Sequence, residues 1–197
     1  MALFVRLLAA SLVCVSGSAL ASVACFQPSP RFAAQGDAYW QINPLVNGPI
    51  AGKQALLKQL EPLAGRINGA LRREDCSGAE SQPQVKSVNA SVKGTLVVEQ
   101  DGVKLQLSVT DLKDKTIKEE RLEFLGRSPT VAFNTGAQGE FTLVQKLRAN
   151  AKPGDKISLL REAEYTLLID KKHLRIRAVH FANGLTYAEE IWDITPR

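Results

Sequence analysis

Alternating apolar and polar residues from Val85 to the carboxyl terminus constrain the fold of this chain more than any other feature. Between residues 103 and 109, apolar side chains occupy the odd positions and polar side chains the even ones, which is typical of a half-buried antiparallel strand. The dipeptides Asp101-Gly102 and Asn183-Gly184 each separate two such runs and favour two-residue hairpin turns. Residues 85–197 therefore predict about eight or nine antiparallel strands with short connections, closed as a barrel or folded as a sandwich.

A helix-like pattern precedes these strands. Over residues 52–73, large aliphatic side chains recur at spacings of four, three, four and four, which predicts one apolar stripe on an amphipathic helix: Leu56, Leu60, Leu63, Ile67 and Leu71. Pro62 predicts a kink, or the start of a second helix. Asp75 to Pro83 is predicted as a linker, so residues 51–84 form a helix and linker and residues 85–197 an antiparallel β domain.

The first 21 residues have the three regions of a secretory signal peptide in order. Arg6 precedes an apolar run, and Ala19 to Ala21 supply the small residues of a cleavage site. The apolar run is shorter than the roughly 20 residues that span a bilayer. We therefore expect a periplasmic or secreted protein with no transmembrane segment after residues 1–21 are removed. Residues 22–50 contain frequent proline, glycine and asparagine and are predicted as an extended arm.

The fold class predicted from these segments is α+β, mostly antiparallel β. The amino-terminal arm and the amphipathic helix are expected to pack on a β-meander, and residues 22–197 to form one globular unit. Removal of the signal peptide would leave two of the three cysteines, Cys25 and Cys76. An even number in an oxidising compartment predicts a disulfide between them. The alternative is a lipid anchor on Cys25, which would leave Cys76 as an unpaired thiol.

Composition and spacing argue against several functional classes. The net charge of +5 at pH 7 is far from the clustered charge of a nucleic-acid-binding protein. His173 and His180 are seven residues apart in one predicted strand and so face opposite ways, which prevents them from sharing a metal ion. The sequence has neither a nucleophile elbow nor a phosphate-binding loop. We interpret the protein as non-enzymatic, without a metal or a cofactor.

The stretch "KKHLRIRAVH" contains the candidate binding residues. Alternation places His173, Arg175 and Arg177 on one face of a strand, with Lys171 in line. Such a cationic ladder could bind acidic glycans, phospholipid head groups or an acidic patch on a protein. The alternative is an ordinary solvated strand face, whose charges are opposed by Glu189 or by another acidic residue on a neighbouring strand.

Residues Leu56 to Ile117 resemble part of the CsgG/TolB-amino-terminal-like envelope domains, which place a helix before a strand and a hairpin. The corresponding hairpin here reads "KGTLVVEQDGVKLQLSVTDLKDKTI". The resemblance implies an accessory role in assembly of the cell envelope or in secretion, and it assigns no functional residues.

Two functions follow as hypotheses. The first is an exported, non-enzymatic accessory or interaction protein of the cell envelope, whose partner is an envelope protein or an anionic surface or polymer, and not nucleic acid. The alternative is a secreted small-ligand-binding or hydrolase-inhibitor β module that uses a barrel mouth. An interior cavity among the strands would favour the second hypothesis, whereas a filled interior with an exposed apolar patch would favour the first.

Overall fold

The computed structural model describes residues 23–28, 50–113, 115–125, 130–135, 139–147 and 161–197. The described elements are the helix α1 (Ile50–Leu60), a 3-10 turn (Glu61–Leu63) and the strands β1 (Gly65–Ala79), β2 (Gln82–Val98), β3 (Gly102–Asp111), β4 (Ile117–Leu125), β5 (Thr130–Thr135), β6 (Phe141–Leu147), β7 (Arg161–Asp170), β8 (His173–Ala182) and β9 (Leu185–Pro196). The predicted signal peptide and residues 29–49 of the predicted arm lie outside the described residues. No helix in the described ranges is both long and apolar enough to cross a membrane.

The nine strands form one mostly sequential antiparallel sheet. Their order is β4-β3-β2-β1-β9-β8-β7-β6-β5, so the last strand lies beside the first. A hydrogen bond between distant strands shows that the sheet curls. The side-chain amide of Gln145 on β6 donates to the main-chain oxygen of Glu123 on β4 at 2.8 Å, although six strands lie between β6 and β4 in the sheet. The rings of Phe124 and Tyr165 also meet edge to face at 5.0 Å. The fold is therefore a curled half-barrel and not a two-sheet sandwich.

The main hydrophobic core lies on the concave side of the curled sheet. Helix α1 contributes Leu56 and Leu60, whose side chains have no exposed surface. They belong to the same core cluster as inward-facing side chains of several strands, among them Ile67, Leu105, Leu107, Leu167, Ile176 and Trp192. Each fully buried aliphatic or aromatic side chain contributes about 1.5–3 kcal/mol relative to exposure. Leu56 and Leu60 of the helix therefore belong to the same core as the inward-facing strand residues.

The prediction of a helix over residues 52–73 is wrong beyond Leu60. Pro62 lies in the 3-10 turn, and Gly65 adopts a φ of 115°, a conformation that other residues rarely adopt. The chain then continues as β1, which pairs with β2 on one side and with β9 on the other. Ile67 and Leu71 misled the prediction because a spacing of four places two side chains on the same face of a helix and also of a strand.

The predicted linker from Asp75 to Pro83 is also incorrect, because it belongs to the β1–β2 hairpin. The pairing of the two strands continues to Ala79 opposite Gln82. Pairing of β1 with β9 reaches only Asp75, and pairing of β2 with β3 begins only at Ala90. The end of the hairpin therefore extends past its neighbouring strands, and the sheet begins at Gly65 and not at Val85.

Of the two hairpin turns predicted from sequence, Asn183-Gly184 is present, and Asp101-Gly102 is wrong by one residue and lacks the positive φ angles expected of it. Asn183 and Gly184 both have positive φ, at 50° and 81°, between β8 and β9, as a two-residue turn of this kind requires. The β2–β3 turn lies one residue earlier than predicted, because the Glu99 amide donates to the Gly102 oxygen at 2.7 Å and leaves Gln100 and Asp101 as the central residues. The alternating strand after it is confirmed, since its odd-numbered side chains from Val103 to Val109 are buried.

Gly69 on β1 and Gly94 on β2 permit close approach of neighbouring strands. A Cβ atom built on Gly94 would lie 2.0 Å from the main-chain oxygen of Gln106, and one on Gly69 would lie 2.2 Å from that of Asp193. Both contacts are with backbone, which cannot rotate away as a side chain can. Glycine at these two positions is therefore required for the observed packing of β1 and β2 against β9 and β3.

Candidate interaction surfaces

The predicted cationic ladder lies on the convex face of β8. Leu174, Ile176 and Ala178 are buried on the concave side, while Arg175 and Arg177 are exposed. His173 shares the face of the two arginines and is half-buried, and Lys171 is exposed in the turn that precedes β8. Alternation therefore places His173, Arg175 and Arg177 on one face of β8, as the sequence indicated, whereas Lys171 lies outside the strand.

Acidic residues of the neighbouring strand β9 oppose this ladder. Arg175 Nε donates to Asp193 Oδ1 at 2.7 Å, and His173 Nε2 lies 3.3 Å from the same oxygen. Arg177 Nε donates to Glu189 Oε1 at 2.7 Å, and this hydrogen bond raises the pKa of the Arg177 guanidinium. Both arginine side chains remain about half exposed, at 51% and 54%. Their other guanidinium hydrogens can thus still reach a partner in solvent.

A cleft of about 330 Å³ adjoins one end of the ladder. Its lining includes His173 and Arg175, together with Gly139 and the segment Leu168 to Asp170. Leu168 is 44% exposed and gives the cleft one apolar wall. The cleft combines a cationic side and an aliphatic side, which suits an anionic ligand with an apolar portion.

A second charged cluster lies on the concave face, at the end of the half-barrel away from helix α1. Arg73 on β1 donates from Nη1 to Glu190 on β9 and from Nε to Asp75 Oδ1 at 2.9 Å. The indole N–H of Trp192 donates to the other oxygen of Glu190 at 3.1 Å. The Glu190 side chain is only 7% exposed. These donors satisfy a carboxylate that would otherwise be costly to bury.

His180 completes this cluster. Its Nε2 lies 3.3 Å from Glu190 Oε2 without the alignment of a hydrogen bond. A bulge at His180 and Phe181 interrupts the register with β9, and the ring of Tyr187 lies 5.8 Å from that of His180. The side chain is only 12% exposed. His173 and His180 thus lie on opposite faces, as their spacing predicted, and each is beside a carboxylate.

Burial and charge displace several pKa values in this cluster. Burial alone would raise the pKa of Glu190, but the contact with His180 and the charges of His180 and Arg73 outweigh it and hold that pKa below its ordinary value. Burial, and then the charge of Glu190, raise the pKa of Glu120 on β4. Burial also raises the pKa of Tyr165. The curl of the sheet thus brings β4, β7 and β9 within electrostatic range of one another.

Sequence reasoning missed the concave cluster because it assigned Arg73 to the end of a helix. The signal was available in the alternation, since Arg73 continues the row of Ile67, Gly69 and Leu71 on one strand face. A cation in line with buried aliphatic residues predicts a buried acidic partner. Identifying Glu190 as that partner required the pairing of β1 with β9, in which Arg73 lies directly opposite Glu190.

The turn between β3 and β4 exposes aliphatic side chains. Leu112 is 61% exposed and Ile117 is 66% exposed. Among the described residues, the other exposed large hydrophobic side chains have 42–44% of their surface exposed: Val85, Val97 and Leu168. Lys113, Lys115 and Lys118 are neighbours of the two aliphatic residues in sequence and are themselves exposed, as are Glu119 and Glu120.

Cys25 is bonded to Cys76, the pair predicted from the cysteine count. The bridge joins the amino-terminal segment to β1, 51 residues further along the chain. The Val23 amide donates to the buried Glu74 carboxylate at 2.7 Å, and the Phe26 amide donates to the Thr186 oxygen at 2.8 Å. Residues 23–28 therefore link β1 to β9.

The sequence matches no protein-family model and no curated protein. The resemblance of Leu56 to Ile117 to the CsgG/TolB-like envelope domains therefore stays a prediction.

Proposed function

We propose that this protein is an exported, non-enzymatic accessory or interaction protein of the cell envelope, and that it binds an anionic partner through its outer surface. The observation that carries the proposal is the contrast between the two sides of the sheet. Side chains of helix α1 belong to the apolar core of the concave side, where a small-ligand module would hold its ligand. Exposed cations and exposed aliphatic side chains instead lie on the convex face of the sheet and in the turns between strands.

A periplasmic or secreted location is part of this proposal. The Cys25–Cys76 disulfide supports it, because structural disulfides persist in oxidising compartments and are rare in the cytosol. The signal-like residues 1–21 support it from the sequence. The bridge also argues against a lipid anchor at Cys25, since a sulfur in a disulfide cannot carry an acyl chain.

The β8 ladder is one proposed binding surface for the anionic partner. The carboxylates of Asp193 and Glu189 already occupy one side of each arginine, so an incoming anion would share or displace them. Binding of this kind is expected to be weak at physiological salt, because exposed charges are screened. A multivalent anion, such as a polymer or a lipid surface, would compensate through several simultaneous contacts.

The test uses the mature, disulfide-bonded protein with heparin as an anionic polymer and with vesicles that contain phosphatidylglycerol. We expect binding to at least one of them, weakening as salt is added. The double variant Arg175→Ser with Arg177→Ser should weaken binding if the ladder is the site. The control variant Lys58→Ser with Arg66→Ser removes the same charge from exposed positions elsewhere. Absence of binding to both probes at low salt would overturn an anionic partner.

One observation that supports the alternative small-ligand function is the cleft beside His173 and Arg175. Its volume of about 330 Å³ lies at the lower end of the range for ligand sites, roughly 300–1,000 Å³. Mass spectrometry of the native protein purified from its own compartment would detect a bound small molecule. A stoichiometric ligand that Leu168→Arg releases would favour this function over the first.

A further inference from the structure

The protruding end of the β1–β2 hairpin leaves one edge of β2 without a neighbouring strand among the described residues. Strand β3 begins to pair with β2 only at Ala90, so residues 82–89 extend past it. The side chains of these residues are exposed, except that of Val88, which is half-buried. On the other flank of the hairpin, the disulfide between Cys76 and Cys25 joins the amino-terminal segment to β1. The edge of β2 is therefore the open flank of the hairpin within the described chain.

One hydrogen bond shows which main-chain groups point outward from this edge. The Asn89 oxygen accepts from the Leu112 amide at 3.2 Å, so the main-chain groups of Asn89 point away from β1 and toward the side of β3. The pairing of β2 with β1 continues from there to Gln82 without a register shift. Because main-chain groups alternate in direction along an antiparallel strand, those of Val85 and Ser87 point the same way, into the space beyond β3.

These outward groups form a short repeat of donors and acceptors. Val85 and Ser87 each present an N–H and an oxygen, and Pro83 presents an oxygen alone. The repeat has the spacing of alternate strand residues, about 7 Å. An extended polypeptide carries the complementary donors and acceptors at this spacing, whereas a glycan or a lipid head group has no such repeat. The edge therefore fits a strand of protein.

We propose that this edge pairs with the same edge of a second copy of the chain, as antiparallel strands related by a two-fold axis at Val85. This inference goes beyond the proposed function. Val85 would exchange both main-chain hydrogen bonds with Val85 of the second copy, and the Ser87 amide of each copy would donate to the Pro83 oxygen of the other. The two Val85 side chains, each 42% exposed in a single copy, would then lie beside each other.

Charge and the position of β3 select this register. An axis at Lys86 would place two lysines directly opposite each other, which is destabilising. An axis at Ser87 would place Val85 opposite Asn89 of the second copy, whose oxygen already accepts from Leu112. The axis at Val85 places Lys86, the one charged residue of 82–89, opposite the neutral Gln84. This pairing occupies the open edge of both copies, so association ends at a dimer.

The experiment is sedimentation equilibrium of the full mature, disulfide-bonded protein. A short strand pair buries little area, so we expect a weak dimer that forms as the protein concentration rises toward about 1 mM. Ser87→Pro removes an outward N–H and keeps the hydrogen bonds of β2 to β1. It should raise the dimer dissociation constant roughly tenfold or more, because the lost bond occurs twice. Ser87→Ala is the matched control, which keeps the amide and should dimerise like the wild type.

A second pair of variants tests the register without altering the backbone. Gln84→Glu should tighten the dimer and Gln84→Lys should weaken it, since residue 84 faces Lys86 of the second copy. Each change should be roughly two- to thirtyfold, because the contact occurs twice. Within one chain residue 84 is opposite the neutral Ser77 on β1, so neither substitution creates a facing charge pair in the hairpin. These variants keep the proposal falsifiable if Ser87→Pro disturbs folding.

Hydrogen exchange of the Val85 and Ser87 amides gives a direct readout of the edge. Exchange should slow as the concentration rises and the dimer forms. Slow exchange at every concentration would show that the edge is already paired within one chain and would overturn the inference. A protein that stays monomeric at about 1 mM would also overturn it. So would a dimer that Ser87→Pro and Gln84→Lys both leave unchanged, or one that forms only after heparin is added.

Discussion

Two consecutive glutamates of β9 face opposite sides of the same sheet and hold two arginines in different environments. Glu189 pairs with Arg177 on the convex face, and Glu190 pairs with Arg73 on the concave face. On the convex face the Arg177 side chain is 54% exposed and the Glu189 side chain 12%. On the concave face the Arg73 side chain is 36% exposed and the Glu190 side chain 7%, and the Glu190 carboxylate also accepts from the Trp192 indole. The same two residue types thus form a solvated surface contact on one side and a structural ion pair on the other.

The contrast shows that exposure, and not the pair of residue types, sets the energetic role of an ion pair. Water screens the convex pair, so it contributes little to folding and stays available to a partner. The concave pair is less exposed, and Glu190 also accepts from the buried Trp192 indole, so loss of Glu190 would leave a buried donor without its acceptor. This difference is why we assign partner binding to the convex face and stability to the concave face.

The largest expected effect tests this contrast directly. Glu190→Ala should lower the free energy of unfolding by about 2–3 kcal/mol, because it leaves the buried Trp192 N–H without its acceptor and removes one of the two carboxylate partners of Arg73. Glu189→Ala is the matched control, and it should cost about 1 kcal/mol or less because the Arg177 guanidinium can be hydrated. Urea unfolding of both variants measures the difference. Equal losses would contradict the assignment of different roles to the two faces.

The next largest effect is expected where β2 and β3 approach each other closely at Gly94. Gly94→Ala should cost about 3 kcal/mol, since the new Cβ would lie 2.0 Å from the Gln106 main-chain oxygen and force the strands apart. Ser91→Ala, on the same strand but on the exposed convex side, should change stability by less than about 0.5 kcal/mol. Thermal unfolding compares the two variants. A tolerated Gly94→Ala would show that the strand spacing is not fixed by this glycine.

The smallest expected effect is a dependence on pH. The pKa of Glu190 is lowered by folding, so its stabilising contribution is present above the unfolded value of about 4.3 and is lost as the pH falls through the lower folded value. Stability of the wild type should therefore fall more steeply below about pH 4.3 than that of Glu190→Gln. Glu189→Gln serves as the control. Parallel pH profiles for wild type and Glu190→Gln in urea would contradict the lowered pKa.

Much of the fold could be predicted from local sequence. Alternation predicted the antiparallel strands and the outward direction of His173, Arg175 and Arg177, and the Asn183-Gly184 turn followed from the positive φ that it requires. The helix over residues 52–73 failed because Ile67 and Leu71 satisfy the helix period and the strand period equally. Only the neighbours of β1, namely β2 and β9, decide between the two.

The residues of the candidate surfaces could likewise be predicted only in part from the sequence. The sequence by itself determined which residues alternate along each strand, which dipeptides turn the chain and which two cysteines can pair, because these properties depend on a few adjacent residues. The tertiary structure alone decided that Arg73 is enclosed with Glu190, that Arg177 stays in solvent with Glu189, and that Leu112 and Ile117 have no cover within the described chain. Partner and burial depend on strand order and curl, and these arise from contacts between residues distant in sequence, such as Arg73 and Glu190, which are 117 positions apart.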